Sequence, residues 1–184
     1  MKLPQAAEEN MAFLLAEIDG QLVRLTEYFR DPRPETAQRL IQRAGYSHNL
    51  AGRVRRACIS GMMRSKKSAA HNLQLQGVDK VARNLDLVSR LGRRAVQHAE
   101  DVQRLKLLRP DAYVKPLQRV TGRVARVQDA LRDRDSRLAV EIGRTSEELD
   151  TFYDQVFRTY TRDMQGSRHT ADLAHALLTA HEIH

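Results

Sequence analysis

The sequence predicts an all-α protein, and three observations support this class. Ala, Leu, Arg, Val, Glu and Gln dominate the 184 residues, and most of these are good helix formers. Apolar residues recur at steps of three and four, which is the spacing of one face of an α-helix. No run alternates apolar and polar residues as a half-buried strand would. With 41% hydrophobic residues, the chain can bury the core of one large helical domain or of two small ones.

Three helices are predicted in the first part of the chain. The first runs from about residue 6 to 29 and ends before Pro32, because a proline disfavours helix at the residue that precedes it. Pro34 suits the first turn of the second helix, which extends to about Arg64. After a weak stretch, the third helix keeps a seven-residue apolar repeat from Val78 to Val102. The first helix is expected to bury Met11, Leu14, Leu15, Ile18, Leu22 and Leu25.

Three more helices are predicted in the rest of the chain. Pro110 breaks the chain, and Pro116 begins or kinks a fourth helix that reaches about Leu131. A fifth helix is expected from Asp133 to about residue 165, and a sixth from near residue 169 to 184. The apolar stripe of the fifth helix consists of Leu138, Ile142, Leu149, Phe152, Tyr153, Val156 and Tyr160.

The two halves of the chain repeat the same pattern. Without gaps, a shift of 102 residues lays Leu40 on Ile142 and Val54 on Val156, so apolar positions coincide. We therefore predict two tandem three-helix-bundle repeats, at residues 1–108 and 109–184. The second repeat is short because its third helix is incomplete at residue 184. This predicts either a truncated chain or completion by a second subunit, such as a homodimer partner.

Positive charge is concentrated in the middle of the chain. Residues 53–126 hold 18 basic and 5 acidic side chains, an excess of +13, whereas both flanking parts are slightly acidic. This belt indicates an anionic partner: a protein, a phosphate-bearing ligand, a lipid head group or nucleic acid. A solvated basic face is the alternative. The arginines predicted to bind the anion or partner are Arg53, Arg56, Arg90, Arg93 and Arg94.

A short acidic row lies opposite the apolar stripe of the fifth helix. Glu147, Asp150 and Asp154 share one helical face, and the i, i+4 pair places two carboxylates within reach of one cation. These three residues are the candidate metal ligands, with a solvated acidic face as the alternative. His181 and His184, one helical turn apart, are a second candidate pair, and ordinary surface histidines are the alternative there.

Several classes of protein are disfavoured. Cys58 is the only cysteine, so the chain holds no intramolecular disulfide and no cysteine-based zinc site. No segment resembles a signal peptide or approaches the length of a membrane span. These features predict a reducing, cytoplasmic setting. No nucleophile, base and orienting group can be assembled from the sequence, so we predict that the chain is not an enzyme.

Two stretches resemble the PhoU family of phosphate-signalling regulators. Asp135–Ala139 followed by Ser146–Tyr153 is similar to the family's second-helix pattern, and Val81–Ala99 is similar to its third-helix signature, LERIGDxAxNIA. The resemblance implies two three-helix repeats and a cytoplasmic, non-enzymatic adaptor that restrains phosphate uptake and phosphate-starvation signalling. It also implies a phosphate ABC transporter and a sensor histidine kinase as partners, or a sodium–phosphate cotransporter.

The resemblance implies a possible iron or zinc cluster, but this chain departs from the metal-binding pattern. In the third-helix signature, Ser89 and Arg93 stand where the family has Glu and Asp. A hydroxyl or a guanidinium cannot replace a carboxylate as a hard oxygen ligand. In the first repeat, the acidic row is replaced by Gly45, His48 and Gly52. We therefore expect the first-repeat cluster to be absent and the second to be at most half present.

Two other functions compete with the adaptor. The basic belt is compatible with a helical module that binds nucleic acid, although no recognised binding motif is present and aromatic residues do not interleave with the basic ones. A metal-dependent enzyme would require stoichiometric bound metal. Both remain alternatives at the level of the sequence.

Overall fold

The computed structural model describes residues 3–64, 69–103, 107–144 and 147–184, and these ranges form helices without any strand. The all-α class is therefore confirmed. No helix in these ranges is long and apolar enough to cross a bilayer. The helices are α1 (Gln5–Arg30), α2 (Pro34–Arg64), α3 (Ala69–Gln103), α4 (Asp111–Asp133), α5 (Ser136–Gly143), α6 (Glu147–Met164) and α7 (Thr170–Ile183).

The helices form the two predicted three-helix repeats. In the first repeat, α1, α2 and α3 pack against one another. In the second, α5 lies on α4 and α6 on α7, so that α5 and α6 together occupy the place of one helix. The repeats meet through two helix pairs, α1 with α4 and α3 with α7, and one hydrophobic core runs through both. The division of the chain at residue 108 stays a prediction.

The first repeat is built as the sequence predicts. The apolar stripe of α1 is at most 5% exposed at each of its six predicted positions. The helix ends at Arg30, two residues before Pro32. Cys58 is fully buried on α2, and burial, with a smaller contribution from the carboxylate of Asp79, raises the pKa of its thiol to about 11. The cysteine is therefore a small hydrophobic residue of the core.

Aromatic side chains fill the junction between the repeats. Tyr113 of α4 is fully buried, with its ring 4.9 Å from that of Phe29 of α1 and 5.8 Å from that of Phe152 of α6. Its hydroxyl donates a hydrogen bond to the carbonyl oxygen of Ala176 in α7, at 3.1 Å. One side chain thus contacts three helices, and it holds the first helix of the first repeat against the second repeat.

The prediction of one continuous fifth helix was wrong. α5 ends at Gly143, and Arg144 is extended, with ψ 134°. Two features favour this end. Gly143 weakens the helix, because glycine loses more conformational freedom than other residues. The carbonyl oxygen of Arg144 accepts a hydrogen bond from the Arg123 guanidinium of α4, at 2.9 Å. No residue of α5 is buried, whereas α6 buries Phe152, Val156 and Tyr160, so only the second part of the predicted stripe enters the core.

A helix-start signal in the sequence marks this interruption. Thr145-Ser-Glu-Glu148 matches a capping box, and the first turn of α6 carries Glu147, Glu148 and Asp150, which favour a helix N-terminus. Thr145 and Ser146 lie outside the described residues, and Ser146 is the first residue of the stretch Ser146–Tyr153 that resembles the family pattern.

The fourth helix begins before Pro116, which was predicted either to begin this helix or to kink it. It starts at Asp111, directly after Pro110, and Pro116 lies buried inside its second turn. The helix therefore does not begin at Pro116. Pro116 has no N–H to donate to the carbonyl oxygen of Ala112, so the helix loses one backbone hydrogen bond there, and the proline ring is buried.

Candidate functional site

The five predicted arginines fall into two separate groups. Arg53 and Arg56 are exposed on α2, whereas Arg90, Arg93 and Arg94 lie on α3. Arg93 and Leu40 line the same small cavity, and Leu40 is thirteen residues from Arg53, about 20 Å along the helix axis. The structure therefore does not assemble one five-arginine surface.

The arginines of α3 contact residues inside the protein. Arg90 lies 3.5 Å from the carboxylate of Asp86. Arg94 Nη2 lies 2.6 Å from Oε1 of Glu182, a buried carboxylate of α7. Arg93 is half-buried beside apolar side chains. Of the three, Arg94 links two helices, α3 and α7, whereas Arg90 pairs within α3. Binding of an external anion or partner by these arginines stays a prediction.

The arginines of α2 line an open groove. Arg53, Arg56 and Arg64 lie along it together with Ser60, and the groove has a volume of about 430 Å³. Its other walls are small residues of α2 and the residues at the start of α1. No carboxylate lines the groove, and in the described part of the chain none of these three arginines forms an ion pair. Arg64 was not among the predicted residues, although its spacing from Arg53 and Arg56 places it on the same helical stripe.

The acidic row lies on α6 and is only partly free. Glu147 is exposed in the first turn, Asp154 is exposed, and Asp150 lies 2.8 Å from Nε2 of His184. Within the described ranges, no three His, Cys, Asp or Glu side chains are grouped so that they could hold a metal ion. The three carboxylates of the acidic row therefore do not by themselves form an iron or zinc cluster site. Metal binding by this row stays a prediction.

A buried polar network occupies the region of the family's third-helix signature. Ser89 donates to Gln21 Oε1 at 2.6 Å, and Gln21 Nε2 donates to Ser47 at 2.7 Å and to Glu17 at 2.9 Å. Burial raises the pKa of Glu17, but hydrogen bonds from Arg43 and Gln21 outweigh this and lower it overall. The network joins α1, α2 and α3. Ser89, which stands where the family has Glu, therefore contributes to the packing of these three helices.

A His–Asp pair bridges the second and third helices of each repeat. In the first repeat, His48 Nδ1 lies 3.3 Å from Asp86, and in the second, His184 contacts Asp150. The shift of 102 residues lays His48 on Asp150, but it lays His184 on Ala82 rather than on Asp86, so only one position of the two pairs corresponds.

The sequence did not reveal a third polar cluster, which lies between α3 and α7. Nδ1 of His98 and Nδ1 of His175 are 3.2 Å apart, and Asp101 lies 3.8 Å from His175. Burial, with smaller contributions from His175 and Arg94, lowers the pKa of His98. Since the two histidines are separated by 77 residues, no local pattern could have indicated their contact.

Comparison with known proteins identifies the fold. No family model matches the sequence, and no curated protein matches it significantly. Among solved structures, the crystal structure of PhoU from Pseudomonas aeruginosa superposes with a TM-score of 0.83 at 14% sequence identity, and the match covers 96% of this chain and 86% of that one. The resemblance seen in the two helical stretches is thereby confirmed for the fold. The chain has the two-repeat helical fold of PhoU.

Proposed function

We propose that this chain is a PhoU-like cytoplasmic adaptor that regulates phosphate uptake and phosphate-starvation signalling through protein contacts. The observation that carries this proposal is the extent of the structural match, because it includes both repeats and their junction rather than a single helix bundle. Three-helix bundles are common, but this paired arrangement is more specific.

The distribution of polar residues favours an adaptor over an enzyme. The buried polar groups bind one another across helix interfaces, as in the Gln21, Ser47 and Ser89 network. Among the described residues, positive charge without an ion-pair partner lies instead at Arg53, Arg56 and Arg64 of α2, where it is open to an external anionic group. A phosphate ABC transporter and a sensor histidine kinase, or a sodium–phosphate cotransporter, are the proposed partners.

Gene deletion tests the proposed role. In phosphate-replete cells, loss of the protein is expected to raise phosphate uptake and to switch on a phosphate-starvation reporter, and expression of the wild-type chain should restore repression. A tagged chain should recover a phosphate transporter or its sensor kinase from the same cells. Unchanged uptake and reporter activity, with neither partner recovered, would contradict the proposal.

The nucleic-acid alternative predicts a different result. Binding through phosphate contacts releases counterions, so affinity for a duplex or a single strand should fall steeply with salt concentration. Fluorescence anisotropy with both kinds of strand measures this directly. Homodimerisation and metal binding also stay predictions, which light scattering and elemental analysis of the purified protein would check.

A further inference from the structure

We propose that the groove lined by Arg53, Arg56, Ser60 and Arg64 binds a short phosphate chain. The ligand is either a free oligophosphate, such as tripolyphosphate, or the polyphosphate end of a nucleotide, since both present the same linked phosphoryl groups. This site does not depend on the adaptor role proposed above.

The positions of the arginines fit an extended anion. Arg53, Arg56, Ser60 and Arg64 lie within an arc of about 80° on α2, and Arg53 and Arg64 are separated by about 16 Å along the helix axis. One phosphate could contact the neighbouring guanidiniums of Arg53 and Arg56. A chain of phosphates can continue past Ser60 toward Arg64, so the stripe favours several linked phosphates over one.

Small residues shape the groove between α1 and α2. A Cβ atom at Gly61 would lie only 3.0 Å from Pro4 Cγ, so glycine at this position allows the start of α1 to lie close against α2. Ala6 and Ala57 form other parts of the lining and leave the space between the helices unfilled. The groove therefore has walls on two helices, which a flat basic surface would lack.

The charge of this groove distinguishes it from another basic groove on the surface. Around α4, Lys115 and Arg119 line a cavity together with Glu147 and Glu148, and Arg119 forms an ion pair with Glu148. Of the residues that the structure describes, no acidic one lines the α2 groove. Guanidiniums bind phosphate oxygens through paired N–H groups, and the Ser60 hydroxyl supplies a further donor. The chemistry of the lining thus matches a multiply charged phosphate ligand.

Calorimetric titration of the full chain at about 0.15 M salt tests the site, since this ionic strength screens diffuse attraction. The probes are tripolyphosphate, pyrophosphate, orthophosphate and ATP. The groove variant combines Arg53→Gln, Arg56→Gln and Arg64→Gln. Its charge-matched control replaces three exposed arginines outside the groove: Arg55→Gln, Arg137→Gln and Arg158→Gln.

A second pair of variants tests the groove without removing an arginine. Ser60→Glu places a carboxylate among the three guanidiniums, where it should pair with them and exclude the ligand while the helix stays intact. Ser60→Gln adds a side chain of the same length without charge. Circular dichroism of each variant verifies that the fold is retained.

We expect affinity to increase from orthophosphate through pyrophosphate to tripolyphosphate. The groove variant, which loses three arginines at roughly tenfold each, should bind tripolyphosphate roughly a thousandfold more weakly. The control variant and Ser60→Gln should bind tripolyphosphate nearly as the wild type does, and Ser60→Glu should not. Binding of ATP as tight as that of tripolyphosphate would assign the site to nucleotides, and much weaker binding of ATP would assign it to free chains. Equal losses in the groove and control variants, or undiminished binding by Ser60→Glu, would overturn the proposal.

Discussion

At the scale of single residues, the contact between His98 and His175 makes stability depend on pH. Their Nδ1 atoms face each other at 3.2 Å, so one nitrogen must donate and the other must accept the hydrogen bond. Protonation of both rings replaces this bond with repulsion. Burial lowers the pKa of His98, and the nearby His175 and Arg94 lower it further, while Glu182 and Asp101 act in the opposite direction.

The sign of the pH effect follows from this lowered pKa. In the unfolded chain His98 binds a proton near its usual pKa of about 6.5, and in the folded chain it does so only at lower pH. The free energy of unfolding should therefore fall as pH drops below about 6.5. Urea unfolding of the wild type and of His98→Gln between about pH 8 and pH 5 measures this. We expect the variant to lose less stability over that interval, whereas His181→Gln, a change at an exposed histidine, should behave as the wild type.

Arg94 and Arg53 differ in what their removal should cost. Arg94 neutralises the buried Glu182 carboxylate, so Arg94→Ala leaves a buried charge unpaired and should lower the free energy of unfolding by about 1–3 kcal/mol. Arg53 is exposed in the groove, and Arg53→Ala should change the free energy of unfolding by no more than about 0.5 kcal/mol. Chemical denaturation gives both values. A similar cost for the two variants would contradict the structural role of Arg94.

Sequence reasoning could not separate these two arginines. Both lie in strongly basic helical segments, and the difference depends on Glu182, which is far along the chain from Arg94. The polar clusters at the α3–α7 interface and at Ser89 were hidden for the same reason, because long-range packing decides which polar groups meet. Local features, such as an arginine stripe on one helix, were accessible from spacing alone, and Arg64 would have been found by extending it.

At the scale of elements, local signals account well for the helices. Pro32 ends α1, and the regular apolar repeat marks α3 as a long helix. The break at Arg144 is different, because a long apolar stripe crosses it and only the capping signal before α6 reveals it. Periodicity thus predicted where side chains can be buried, whereas the end of α5 depends on a glycine and on a hydrogen bond from another helix.

Glycine substitutions test how much local helix preference contributes. Gly77 is exposed inside α3, and a Cβ atom there would meet nothing within 4 Å, so Gly77→Ala should raise the free energy of unfolding by about 1 kcal/mol. Gly166, which follows α6, has φ +78°, a region that side chains with a Cβ avoid. Gly166→Ala should therefore lower the same quantity by about 1 kcal/mol. Thermal and urea unfolding measure the two opposite shifts, and equal signs would contradict the account.

At the scale of the whole molecule, the junction between the repeats determines how the protein unfolds. α1 packs on α4 and α3 packs on α7, and the buried residues of both repeats form one core. Tyr113 contacts Phe29 of the first repeat and Phe152 of the second, and it donates to Ala176. Two repeats that share a core in this way should unfold together rather than one after the other.

Removal of the Tyr113 hydroxyl tests this coupling. Tyr113→Phe keeps the ring contacts with Phe29 and Phe152 but loses the hydrogen bond to Ala176, so the free energy of unfolding should fall by about 1 kcal/mol. Among the described helices, α2 does not contact those of the second repeat. Hydrogen exchange of its slowest amides should nevertheless accelerate as much as exchange in α6, because both report the same global opening. Faster exchange confined to α4, α6 and α7 would instead show that the repeats are independent folding units that merely dock at this tyrosine.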